Sequence, residues 1–112
     1  MKKLIIYAAG GMGECNYLYL KYSVEHNNCE VIAFVDDNRH GEHIDNIPII
    51  RYDEIDDYEF DNITVALYIN EKRENVLKKL EKYANKILPP PLIVTCDIHI
   101  WNFFLKKFTR II

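Results

Sequence analysis

The sequence predicts an α/β domain in three layers: a mostly parallel sheet with helices on both faces, and an amphipathic helix at the C-terminal end. Three observations predict it. Residues 4–8, Leu-Ile-Ile-Tyr-Ala, are apolar without alternation, as a strand covered on both faces must be. A glycine-rich turn over residues 9–13 follows directly and leads into a helical apolar stripe. About twenty residues further on, a second apolar run at residues 30–35 ends on the acidic pair Asp36 and Asp37. Strand, glycine turn, helix, strand and terminal carboxylate, in that order, describe one Rossmann-like unit.

Size and composition agree with a single unit. The chain has 112 residues, within the range of about 100–150 that one domain commonly fills. Hydrophobic residues make up 49% of it, with four glycines and four prolines, which suits a compact core and no repetitive or disordered tract. Residues 1–97 are expected to form the Rossmann-like domain and residues 98–112 a helical tail. A formal net charge of −3 gives no basic footprint, so nucleic acid is not an expected partner. Cys15, Cys29 and Cys96 are scattered, without Cys-x-x-Cys spacing, and read as reduced thiols of a cytoplasmic protein. The basic start, Lys2 and Lys3, precedes an apolar run too short for a leader, and no run approaches the roughly eighteen apolar residues of a membrane span.

Taken in order, residues 4–8 should be the central strand, buried on both faces. Residues 13–24 then place Tyr17, Leu20 and Val24 on one helical stripe, with Lys21 and Glu25 away from it, and His26 to Asn28 end the helix. The second strand is residues 30–35. The loop after it carries His40 and His43, a His-x-x-His pair that reads as solvent-exposed, since zinc needs three or four ligands and no others stand at ligand spacing. Pro48 fits a short edge strand within residues 44–50, where its missing N–H does no harm. The acidic run at residues 53–61 predicts a short solvated helix or turn that turns Ile55, Tyr58 and Phe60 inward.

Residues 63–69 are the strongest strand of the second half, β-branched and apolar, and should neighbour the first. Asn70 opens a helix expected to run to residue 85, with Val76, Leu80, Tyr83 and Ile87 on one stripe and Glu71, Lys78, Lys79 and Lys82 opposite. Residues 86–88 form a short strand stopped by Pro89, Pro90 and Pro91. Residues 92–96 read as a further strand or extended arm. In the tail, Trp101, Phe104, Leu105, Phe108 and Ile112 share one helical face, which suits a last helix closing the sheet, a self-association surface, or a helix lying on a membrane surface.

The candidate site lies at the glycine turn. Against the dinucleotide fingerprint G-x-G-x-x-G the chain reads Ala8-x-Gly10-x-x-Gly13, so the glycine serving the tight turn is replaced and the two facing ligand and helix are kept. Gly10, Gly11 and Gly13 are the expected diphosphate contacts. Asp36 and Asp37 are placed to accept from a ribose or a base, or alternatively to open the turn that follows. Asn70, where a parallel strand passes into a helix, is both a candidate N-cap and a residue of the ligand-facing edge. No nucleophile with its base, no paired carboxylates and no metal set emerges, so no catalytic residue is assigned.

Leu4 to Gly13, Val31 to Asn38, then Gly41 and Ile44 leading into Asn46-Ile-Pro-Ile49, then Val65 to Arg73, resemble the N-terminal domain of bacterial sugar acyltransferases. That family includes sialic acid O-acetyltransferases and the acetyltransferases of UDP-linked amino sugars. The resemblance covers about residues 2–87. It implies a Rossmann-like domain that holds a nucleotide sugar, followed in the family by a left-handed β-helix that binds acetyl-CoA and carries a catalytic histidine. Two departures stand out: alanine at position 8, where the family has glycine, and no hexapeptide repeat after residue 87. A similar pattern occurs in the N-terminal domains of membrane-associated polysaccharide epimerases and dehydratases.

The expectation is therefore a domain that binds a nucleotide sugar, a UDP sugar, in bacterial surface-polysaccharide synthesis. It would act alone, as a homo-oligomer, or with an acyltransferase partner held through residues 98–112. The alternatives are an NAD-binding domain of an epimerase or dehydratase, and an assembly module that binds no nucleotide.

Overall fold

In the computed structural model, which describes residues 1–22, 28–67 and 70–90, the chain opens with strand β1 (Lys2–Tyr7). Leu4, Ile5 and Ile6 are all buried, on alternate faces of the sheet, which accounts for the unbroken apolar run. Helix α1 (Gly11–Tyr22) follows and starts two residues before the predicted stripe, so Gly11 and Gly13 lie in its first turn. Strands β2 (Cys29–Val35), β3 (His43–Ile44) and β4 (Ile47–Ile50) come next. A 3-10 helix (Tyr52–Asp57) leads to β5 (Asn62–Val65), helix α2 (Asn70–Lys79), a second 3-10 segment (Glu81–Lys86) and β6 (Ile87–Leu88).

The described strands form one sheet in the order β3-β4-β2-β1-β5-β6. β1 pairs in parallel with both β2 and β5, β2 with β4, and β5 with β6, while β3 runs antiparallel to β4. The chain thus builds outward from β1 through β2 and β4, then crosses to β5 and β6 on the other side. That reversal puts the topological switch point between the C-terminal ends of β1 and β5.

The sheet is covered on both faces. Tyr17 and Leu20 of α1 pack on Leu4, Ile6, Phe34, Ile49 and Ala66, with the Tyr17 ring edge-on to Phe34 at 5.7 Å between centroids. On the other face Ile5, Ala33, Val35, Ile50, Ile63 and Val65 meet Ile55, Phe60, Leu80 and Tyr83, with Val76 and Leu77 of α2 at the margin. Ile55 and Phe60 are buried and Tyr58 half-buried, as the acidic run predicts.

Three expectations need correction. The strand holding Pro48 is not the edge of the sheet: β3 pairs outside it, with His43 opposite Pro48, through a two-residue turn at Asp45 and Asn46. Both turn residues have positive φ, 48° and 67°, the conformation of a tight hairpin turn and one that Asp and Asn tolerate. The strand expected over residues 63–69 ends at Val65. The helix expected to residue 85 stops at Lys79, and the cause is tertiary. The Tyr52 hydroxyl donates to the Lys79 carbonyl at 2.6 Å, the acceptor that the Tyr83 N–H would use in a continuing α-helix. The Tyr83 N–H turns instead to the Leu80 carbonyl, at 2.8 Å, and the chain tightens into 3-10 geometry. The expected end of the first helix, the strand at 92–96 and the tail at 98–112, with the domain boundary and association surface assigned to it, lie outside the described residues.

Two surface carboxylates tie the layers together. Asp45 accepts from Lys21 Nζ and the Tyr17 hydroxyl, both at 2.9 Å, and Asp56 accepts from Lys82 Nζ at 2.8 Å and from the Tyr83 hydroxyl. The lysine in each case, then the tyrosine hydroxyl, holds the carboxyl below its usual range. A depressed folded-state pKa contributes stability above the unfolded value, about 3.9, and loses it as pH falls through the folded value. Both pairs are exposed, so the effect is modest. Thermal melts from about pH 6 to about pH 2 should show the wild type losing more stability below about pH 4 than the Asp45→Asn, Asp56→Asn double variant. Parallel curves would contradict this assignment.

Candidate functional site

The ends of four parallel strands, β4, β2, β1 and β5, are laced at one level. The N–H of Ala8 bonds the Val35 carbonyl at 2.8 Å, that of Ala66 the Tyr7 carbonyl at 3.0 Å, and that of Asp36 the Ile50 carbonyl at 2.9 Å. From this fixed base Ala8 turns with φ 99°, in the left-handed region where glycine is at ease and alanine is strained. This is the fingerprint's first-glycine position, and the turn keeps the conformation despite the Cβ.

The remaining glycines divide into two kinds. A Cβ on Gly13 would lie 2.0 Å from the Ala8 carbonyl oxygen and 2.8 Å from its carbon, so only glycine lets α1 rest against the turn. A Cβ on Gly10 or Gly11 would meet nothing within 4 Å, and those positions are open towards the crevice. The first helical bond runs from the Glu14 N–H to the Gly10 carbonyl at 3.0 Å. The N–H groups of Gly11, Met12 and Gly13 precede it and have no acceptor within the helix, a positive pole suited to an anion.

A crevice of about 310 Å³ lies above this turn at the switch point. Its walls are Ala8, Gly10, Gly11, Met12 and Gly13 of the turn, Asp36 at the end of β2, Ala66 and Leu67 after β5, and Lys72 from α2. A hollow of about 240 Å³ adjoins it, bounded by Tyr7, Asp37 and Asn38, and shares Ala8, Asp36 and Leu67 with it. The fold therefore brings Gly10, Gly11, Gly13 and Asp36 together, and sets Asp37 next door.

The two aspartates differ in their partners. Asp36 Oδ1 accepts from the Asn38 N–H at 3.0 Å, which opens the following turn, while its Oδ2 meets, among the described residues, only the Ala9 N–H at a long 3.4 Å. Asp37 Oδ1 accepts from the Tyr52 N–H at 2.9 Å, which fixes the start of the 3-10 helix. Beside them, burial first and then the charges of Asp37 and Asp36 push the Tyr7 hydroxyl above its ordinary pKa, so it remains a proton donor. Asn70 begins α2, and its side chain lies outside the described residues. His40 Nε2 faces Arg51 Nη2 at 2.8 Å, and the described residues contain no group of three or more His, Cys, Asp or Glu placed to hold a metal.

A profile of the C2185-like N-terminal family matches residues 1–88. The chain belongs to the C2185-like N-terminal family. Among solved structures, this C2185-like domain is similar to the crystal structure of UDP-D-quinovosamine 4-dehydrogenase from Vibrio fischeri, with a TM-score of 0.67 and 21% identity over 90% of this chain and 84% of that one. At that identity the likeness establishes the Rossmann-like α/β fold. No curated protein matches the chain. Neither comparison supports the sugar acyltransferase resemblance; the motif order that suggested it is the order of the βαβ scaffold itself.

The sequence reading missed three residues of this C2185-like site. Lys72 stands on the polar side of α2 and reads as a solvated charge until the helix is placed over the crevice. Tyr7 reads as strand core. Arg39, whose Nη1 donates to the Ala9 carbonyl, belongs to no local pattern. The Tyr-x-x-x-Lys spacing of short-chain sugar oxidoreductases occurs twice: Tyr17 and Lys21 are both bonded to Asp45 and do not line the crevice, whereas Lys72 lines it and Tyr68 lies outside the described residues.

Proposed function

We propose that this domain binds a nucleotide sugar, a UDP sugar, in the crevice at the switch point, in the service of bacterial surface-polysaccharide synthesis. The observation that carries the reading is the convergence of the first turn of α1, whose N–H groups have no acceptor within the helix, with Asp36 and Lys72 on one cavity. The N–H groups and the ammonium suit a diphosphate, and Asp36 Oδ2, with one long bond, is available to a ribose diol or a base N–H. The likeness to an enzyme named for a UDP sugar supports the same ligand class. These groups bind and orient an anion, so the role proposed is binding.

Asp36 also favours a second reading. A carboxylate at the end of the second strand, beside a glycine turn, is where a dinucleotide places its ribose, so NAD is the alternative ligand. Calorimetric titration with UDP, a UDP amino sugar and NAD in parallel, on the wild type and on Asp36→Ala, separates the two. Saturable binding of the UDP ligands, weakened roughly tenfold or more in the variant, is the expected result, given about 1.5–3 kcal/mol for a charge-assisted hydrogen bond. Binding of NAD alone would move the assignment to the dinucleotide, and silence from all three ligands would overturn both.

A further inference from the structure

We propose that Arg39 is a positioning residue of the nucleotide site, clamping the glycine turn together with Asp36 so that Ala8 stays left-handed; the ligand part of the proposal rests on the binding role given above. A non-glycine residue in that region persists only where its surroundings over-determine it. Here they do so from both sides of one residue. The Ala9 N–H is held by Asp36 Oδ2 and the Ala9 carbonyl by Arg39 Nη1. Both arms come from the loop after β2.

That loop is itself anchored. The Asp36 N–H bonds the Ile50 carbonyl at 2.9 Å, the Arg39 N–H bonds the Asp36 carbonyl at 3.1 Å, and the Gly41 N–H bonds the Ile49 carbonyl at 3.0 Å. The Arg39 side chain is backed by Glu42, whose Oε2 lies 3.4 Å from Nε. The guanidinium fork can therefore face the turn with one nitrogen and its own loop with another.

The two arms are unequal, and the inequality has a functional reading. The Asp36 arm is long, and a ribose hydroxyl or base N–H that takes Oδ2 competes with the Ala9 N–H for it. Arg39 is not itself a wall of the crevice, so its side-chain arm stays in place when the Asp36 carboxylate turns to the ligand. Arg39 thus frees the carboxylate for binding without releasing the strained turn that presents the α1 N–H groups.

The test is a cycle of Arg39→Gln, Ala8→Gly and both together, read by melting temperature and by calorimetric titration with UDP and with NAD. Glycine removes the strain at position 8, so the clamp has less to hold. Arg39→Gln alone should lower Tm by about 4–8 °C and weaken whichever ligand binds by roughly tenfold. In the Ala8→Gly background both losses should shrink to less than about half, a rescue that a residue supporting only its own loop would not show. Equal losses in the two backgrounds, or no loss in either, would overturn the clamp. If neither ligand binds the wild type, the binding role fails while the Tm cycle still decides the clamp. Should Arg39→Gln not fold, Arg39→Lys, which keeps the charge and loses the fork, enters the same cycle.

Discussion

Gly13→Ala is expected to destabilise the domain by about 3 kcal/mol, lowering Tm by roughly 12 °C at about 4 °C per kcal/mol for a domain of this size. The added methyl would sit 2.0 Å from the Ala8 carbonyl oxygen, and both atoms belong to rigid parts of the fold. Neither partner is a flexible side chain that could swing away. The turn is fixed by the ladder bond from the Ala8 N–H to Val35, and α1 is fixed by Tyr17 and Leu20 against Phe34 and Leu4, so the clash moves the helix off the sheet. Gly11→Ala should be neutral or slightly stabilising, because a Cβ there meets nothing within 4 Å and alanine is the better helix former. Gly10→Ala should also stay within about 0.5 kcal/mol. Thermal melts of the three variants side by side test this; a Gly11→Ala loss as large as that of Gly13→Ala would refute the packing account.

The contrast among the three glycines shows where sequence reading stops. Their spacing located the turn, and two unbroken apolar runs with a carboxylate after the second located the strands that flank it, because both-face burial and turn chemistry are local properties of a chain. Which glycine packs and which faces a ligand depends on how close α1 comes to the Ala8 carbonyl, and no spacing carries that distance. The premature end of α2 was hidden for a similar reason. Residues 80–85 keep a helical stripe, and the hydroxyl that captures the Lys79 carbonyl belongs to Tyr52, which is 27 positions away in the chain. Pro48 suggested an edge strand because its missing N–H suits one, yet the β3–β4 turn at Asp45 and Asn46 folds two further residues outside it. Arg39 was invisible because its partner is a backbone carbonyl 30 positions earlier, and any residue type offers a carbonyl.

Lys72→Glu is expected to weaken binding of the UDP ligands at least about 50-fold while leaving Tm within roughly 3 °C of the wild type, as a surface substitution should. Lys72 is exposed on α2 and lines the same crevice as the α1 N-terminus, so its ammonium and the helix pole would face a bound anion from two walls. A charge-assisted hydrogen bond to phosphate contributes about 1.5–3 kcal/mol, or about 10–100-fold in affinity, and the glutamate adds repulsion to that loss. Lys72→Gln, which removes the charge without reversing it, should fall between the two. The wild type should also lose affinity as salt rises, since a partly exposed charge pair is screened over a Debye length of about 10 Å at 0.1 M, and the glutamine variant should lose less. Titrations of the three proteins at low and moderate salt read both effects at once. Equal affinities across the series would place the phosphate away from α2 and shift the ligand towards the hollow bounded by Tyr7 and Asp37.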